Sequence, residues 1–184
     1  MKWDRYTNMI NLSIQLTGGD KAIKALNDVA TNVTDFSPAF RLIRADFYEI
    51  MVRQFAMGGR TIWQQLSEPY ARWKSRTHPG QPLMVLSGDM RDSLTSSNAK
   101  GSILNIQPMS MEIGTATRSK AGYPYPYAHQ YGVANNPERK VIDLPPGTAA
   151  RWAKIMNNHI LFTADREGPW SNVTLEDFGF EGGF

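Results

Sequence analysis

Leu83-Met84-Val85-Leu86-Ser87-Gly88-Asp89-Met90-Arg91-Asp92-Ser93-Leu94 opens the stretch that decides how this chain is read, and Tyr127-Ala128-His129-Gln130-Tyr131-Gly132 closes it. The apolar run Leu83 to Leu86 reads as a short strand entering a helix at Ser87-Gly88. That helix is expected over Asp89 to Ser96, with Met90 and Leu94 inward. Ile103 to Gln107 and Met109 to Gly114 alternate in polarity on either side of Pro108, the pattern of a β-hairpin. Thr115 to Gly122 carries Arg118 and Lys120 and reads as a mobile loop. The aromatic run Tyr125 to Gly132 reads as compact and buried at one edge.

Working upstream, Ser37-Pro38 is a clear helix start, because serine can accept an orphan N–H and proline presets the first helical φ. Phe40, Ile43, Phe47, Ile50 and Phe55 then form one apolar face, widened by Leu42 and Met51, with Arg41, Arg44 and Arg53 mostly on the other side. Glu49 and Arg53 stand four apart in the favourable order for a helix ion pair. Gly58-Gly59 ends what should be the longest helix, lying across a sheet. Before it, Ile10, Leu12, Ile14 and Leu16 alternate as in a half-buried strand, and Asp20 can cap a helix carrying Ile23, Leu26, Ala30 and Val33. After it, Trp63, Tyr70 and Trp73 are expected to form an aromatic core cluster, with Ser67 capping a helix over Glu68 to Ser75. His78-Pro79-Gly80-Gln81-Pro82 breaks the chain.

Downstream, Val141-Ile142-Asp143-Leu144 is a strand candidate stopped by Pro145-Pro146-Gly147. Thr148 can cap a last helix through about Phe162, with Trp152, Ile155, Met156, His159 and Ile160 on its apolar side. The segment Asp165 to Phe184 changes character: five acids against one arginine, with Trp170, Phe178, Phe180 and Phe184 as isolated anchors. The organisation expected is one α+β domain over 1–164, a twisted antiparallel sheet packed by a long helix with an extended loop, followed by an acidic C-terminal arm over 165–184.

The chain has 184 residues and is 41% hydrophobic and 20% charged, enough for a core and unlike a disordered chain. A net charge of +3 is modest and forces no nucleic-acid reading. Without cysteine, disulfides and Cys-ligated zinc are excluded. Met1 to Tyr6 shows no apolar signal-peptide region, and no apolar run approaches the ~20 residues that span a bilayer, so no membrane partner is expected.

Little here suggests catalysis. His78, His129 and His159 form no metal-binding pair, and no metal or cofactor is expected. There is no Gly-x-Ser-x-Gly and no phosphate-binding loop. Asp89 and Asp92 share a helix face, as acids in a first helical turn do. His129 beside Gln130 reads as a hydrogen-bonding structural residue. Arg72, Lys74 and Arg76 lie in a stretch without acids. With Arg118 and Lys120 they form a candidate basic surface for DNA phosphates or an acidic partner.

Four pieces, in order, resemble the virion morphogenesis and tail-completion proteins of tailed bacteriophages. Leu86 to Leu94 resembles their Ser/Thr-Gly-x-Leu/Met-x-x-Ser-Leu/Ile element. Ile113-Gly114 followed by Tyr127-Ala128-His129-Gln130-Tyr131-Gly132 is similar to an Ile-Gly … Tyr-Ala … His-Gln-x-Gly element, with His directly after Ala128. Gly59 to Leu66 is similar to a Gly … Trp-x-x-Leu element through Trp63 and Leu66. Pro137-Glu138-Arg139-Lys140-Val141-Ile142 resembles a Pro-x-Arg-x-Val/Ile/Phe-Leu/Ile step before a last helix. The match spans Phe40 to Phe162.

The resemblance implies a non-enzymatic structural virion protein, a tail-completion, tail-terminator or neck ring subunit at the head-tail junction, made in the host cytoplasm. It implies a homo-oligomeric, often hexameric, ring touching connector and tail-tube proteins, with loose contact to genomic DNA in its lumen. Rings need heterologous interfaces. The basic residues above and the arm with Trp170, Phe178, Phe180 and Phe184 are the two surfaces that could meet between copies. The alternative is a nucleic-acid-binding module contacting DNA phosphates through the basic patch.

Overall fold

Phe40, Ile43, Phe47 and Met51 are fully buried along one face of α1 (Ser37–Met57). The computed structural model describes residues 10–15 and 34–163, and α1 is the longest element in them. Ser37 is its first residue rather than its cap. The Asp35 carboxylate accepts the Ser37 N–H at 2.8 Å, and the Ser37 hydrogen bonds hold the Asp35 pKa below its ordinary value. Glu49 and Arg53 form the ion pair that their spacing predicts.

The helix ends at Gly58 and Gly59, with φ of 72° and 96°. A Cβ on Gly59 would stand 2.7 Å from the Thr61 carbonyl oxygen and from the Trp63 indole, so this turn requires glycine. Trp63 packs edge-on against Phe55, with centroids 5.6 Å apart.

β1 (Ile10–Gln15) precedes α1. The elements that follow are α2 (Glu68–Thr77), α3 (Asp89–Thr95), β2 (Ser102–Gln107), β3 (Ser110–Thr115), α4 (Tyr125–Tyr131) and α5 (Thr148–Thr163). The fold is α+β, as expected. β2 and β3 make the antiparallel hairpin, and among the described residues the sheet runs β1-β3-β2. Central β3 buries Met111, Ile113 and Thr115, one face of a period-two strand. Edge strand β2 exposes Asn105 and Gln107.

The chain divides into two compact units. The first takes residues 48–104 and 113–145 with 10–12 of β1; the second takes 13–15, 34–47, 105–112 and 146–163, so α1 and the hairpin contribute to both. In the second unit Asp46, 2% exposed, is the buried polar centre. Its carboxylate accepts bonds from Arg151 Nη2 at 2.8 and 3.1 Å, from Arg151 Nε at 3.2 Å, and from the Trp152 indole N–H. His159 Nε2 lies 2.8 Å from the Asp35 carbonyl oxygen, with its ring 5.4 Å from Phe36.

Several local expectations differ from the structure. Leu83 to Leu86 is a turn, not a strand: Val85 N–H returns to the Pro82 carbonyl at 3.1 Å, and Met84 has a φ of 63°. Val141 to Leu144 is also no strand, because Gln130 satisfies its backbone in place of a neighbouring chain. The aromatic cluster splits. Trp63 is core, whereas Tyr70 and Trp73, 41% and 44% exposed, pair with each other at the surface. Ser67 precedes α2 without a side-chain cap, and α2 runs on to Thr77. Thr148 is the first residue of α5 rather than its cap, and its buried hydroxyl has no partner among the described residues.

The loop after β3 is tied down. Ser119 N–H reaches the Tyr123 carbonyl, Gly122 N–H reaches the Ser119 carbonyl, and Arg118 Nη1 reaches the Gly122 carbonyl at 3.1 Å. No helix among the described residues is long and apolar enough to cross a membrane. The helix expected after Asp20 and the arm with Trp170, Phe178, Phe180 and Phe184 lie outside the described residues.

Candidate functional site

The four sequence pieces converge within the first unit. Ser93 of α3 places its Oγ 2.9 Å from the Met90 carbonyl and 2.7 Å from Thr115 Oγ1, which follows Ile113-Gly114. Thr115 Oγ1 in turn lies 3.0 Å from Thr117 Oγ1. A Cβ on Gly101 would stand 2.6 Å from Thr117 Cγ2, and the Gly101 carbonyl accepts Ala116 N–H at 2.7 Å.

Gln130 of α4 acts as a substitute strand. Its Oε1 accepts Val141 N–H at 2.8 Å and Ile142 N–H at 2.9 Å, while its Nε2 donates to the Ile142 carbonyl at 3.0 Å. The His129 carbonyl accepts Arg139 N–H at 2.7 Å. Arg139 then reaches the Gln64 carbonyl through Nε at 2.7 Å and the Gln65 carbonyl through Nη2 at 3.2 Å.

The Lys140 carbonyl receives both Trp63 Nε1–H at 2.9 Å and Gln54 Nε2–H at 2.8 Å. Asp143 accepts Arg60 Nη2 at 2.6 Å and the Thr61 hydroxyl at 2.9 Å. Burial alone would raise the Asp143 pKa, but those hydrogen bonds and the charges of Arg60 and Lys140 hold it below its ordinary value.

Gln64, Gln65, His129 and Arg139 of this network also line a cavity of about 580 Å³, with Lys74, Met84, Met90 and Tyr125 among the other lining residues. Among the described residues no carboxylate is in the lining. Lys74 and Arg139 are 6% and 5% exposed. Lys74 Nζ donates to the Pro82 carbonyl at 2.5 Å. Burial lowers the pKa of Lys74, and of Arg139, where Tyr70 pulls the other way. Burial, and then the nearby Arg139 charge, pushes His129 down to about 4. Its Nδ1 is buried without a hydrogen-bond partner among the described residues. Burial raises the Tyr125 pKa.

The candidate basic residues are thus in unlike settings. Arg72 is exposed and pairs with Glu68 at 3.0 Å. Lys74 is buried in the cavity wall. Arg76 and Lys120 are exposed, while Arg118 is half-buried with Nη2 enclosed. His78 contacts the Thr77 hydroxyl at 2.9 Å, outside the cavity. Among the described residues no three His, Cys, Asp or Glu gather as a metal site.

Sequence reading missed Asp46 and Gln54 as buried polar centres. The signal was present: each interrupts the apolar stripe of α1, three residues after Ile43 and Met51 respectively. No protein-family profile, no curated protein and no solved structure matches this chain.

Proposed function

We propose that this chain is a structural subunit of a tailed bacteriophage virion, a tail-completion, tail-terminator or neck ring component at the head-tail junction, working without catalysis. The observation that carries this reading is how the resemblance pieces are used. Trp63, Ser93, Gln130 and Arg139 come from four separate stretches, and each directs its polar side-chain atoms at carbonyls, amides or hydroxyls of the same unit. Residues so used build a framework rather than present a reactive group.

His129 is a poor general base, because a conjugate acid with a pKa of about 4 is far from the neutral operating range that such catalysis favours. The phosphate-binding alternative is weakened, since Lys74 is turned into the protein and Arg72 is engaged by Glu68.

The test is the mass of the purified full chain by light scattering, alone and with connector and tail-tube proteins. A closed multiple of the chain mass, alone or with those partners, is expected. A persistent monomer that ignores both but binds duplex DNA with a steep salt dependence would replace this reading with the nucleic-acid module.

A further inference from the structure

We propose that the cavity around Lys74 and Arg139 is a receptor for an acidic, aromatic peptide, and that its occupant is the 165–184 segment of a second copy of this chain. Two cations are more than nine-tenths buried in one cavity wall, and neither forms an ion pair among the described residues. A buried charge without a counter-charge is strongly disfavoured, and no described residue of the lining neutralises either one. Lys74 carries three N–H donors, of which the Pro82 carbonyl takes one. Buried His129 Nδ1 adds a further group without a partner among the described residues. The site is chemically half of an ion pair.

The form of the cavity selects a peptide over a lone oxyanion. At about 580 Å³ it holds far more than one phosphate or carboxylate. Leu66, Met84, Val85, Met90 and Pro137 give it an apolar wall suited to an aromatic ring, and methionine adapts well to such a ring.

The chain carries a matching segment. Glu176-Asp177-Phe178-Gly179-Phe180-Glu181 interleaves three acids with two phenylalanines. Over 165–184 there are five acids and one arginine, whereas the preceding 164 residues carry 19 Lys and Arg against 12 Asp and Glu. Insertion of one copy's segment into the next copy's cavity is a heterologous contact, the kind that closes into a ring. The assignment to a second copy rests on the ring reading above; the peptide chemistry rests on the cavity.

The test uses the full chain with p-benzoylphenylalanine at Phe180, mixed with an isotopically heavy copy lacking the photoprobe and then irradiated. Light-heavy crosslinks mapping to residues 64–90 or 125–139 are expected. The yield should fall about tenfold with Lys74→Met in the heavy copy, as for loss of one charge-assisted contact. It should fall similarly with Glu176→Gln, Asp177→Asn and Glu181→Gln in the light copy, changes outside the cavity that leave its fold intact.

Crosslinks confined to one chain, crosslinks elsewhere, or yields indifferent to both sets of changes would overturn the proposal. So would a labelled duplex whose binding is lost in Lys74→Met, since the cavity would then serve phosphates. Light-heavy crosslinks in the cavity without any closed ring by light scattering uphold the receptor and refute the ring reading. A ring unchanged by the acid-to-amide changes does the reverse.

Discussion

Asp46 in the second unit and Lys74 with Arg139 in the first are both buried charge, yet they are completed differently. The Asp46 carboxylate meets a guanidinium and an indole N–H, so its charge is answered within the chain. The Lys74 and Arg139 side chains meet only neutral backbone carbonyls, beside a cavity without acids among the described residues. The first arrangement is a closed structural joint. The second neutralises neither charge and leaves room for something that does. Burial alone therefore does not distinguish a strut from a site; what decides is whether the counter-charge is already present.

Asp46→Ala should have the largest effect. It removes the carboxylate that accepts from the Arg151 guanidinium and the Trp152 N–H and should cost about 3 kcal/mol in urea unfolding. A loss within experimental error would mean that the pair is no joint at all.

Next, Gly59→Ala tests the turn that carries Gln64 and Gln65 toward Arg139. Its positive φ and the 2.7 Å approach of Trp63 to an added Cβ predict a loss of roughly 2 kcal/mol. If the alanine variant is as stable as the parent, the turn is not held as tightly as described.

The pH profile comes third and concerns the cavity itself. His129 takes its proton near 4 when folded and near 6.5 when unfolded. Between those values the unfolded chain binds more protons, so stability is complete above pH 6.5 and falls on acidification toward 4. Below 3.8, Asp35 and Asp143 add a further loss, because their pKa values are lowered by folding. His129→Gln should flatten the 4-to-6.5 stretch of a Tm-against-pH curve and leave the lower limb; an unchanged curve would put His129 in water.

Smaller still is Ser93→Ala, which removes one buried hydroxyl bond to Thr115 and should cost about 1 kcal/mol by the same unfolding assay.

Periodic patterns carried most of the fold into the sequence. The α1 stripe, the hairpin around Pro108, and α3 with Met90 and Leu94 inward were all legible because burial imposes spacing on apolar residues. Two apolar tetrapeptides misled. Leu83 to Leu86 and Val141 to Leu144 look like strands, but the first folds back on the Pro82 carbonyl in a turn and the second bonds to the Gln130 side chain eleven residues away, and apolar spacing reports neither. The cavity was hidden for a related reason. Lys74 sits between exposed Arg72 and Arg76, and its burial depends on the Pro82 turn arriving beneath it. Arg139 stood in a recognised piece, but its direction toward Gln64 and Gln65 needed the fold.

The most direct test of the contrast between closed and open charge is the unfolding free energy of Lys74→Met, measured beside Asp46→Ala in the full chain. Methionine keeps the length of the stem and removes a buried ammonium that has no counter-charge among the described residues. A change within about 1 kcal/mol of zero is expected, because relief of the buried charge offsets the lost bond to Pro82. A loss as large as that of Asp46→Ala would contradict it, showing that Lys74 is a completed joint and that the cavity awaits no acidic partner.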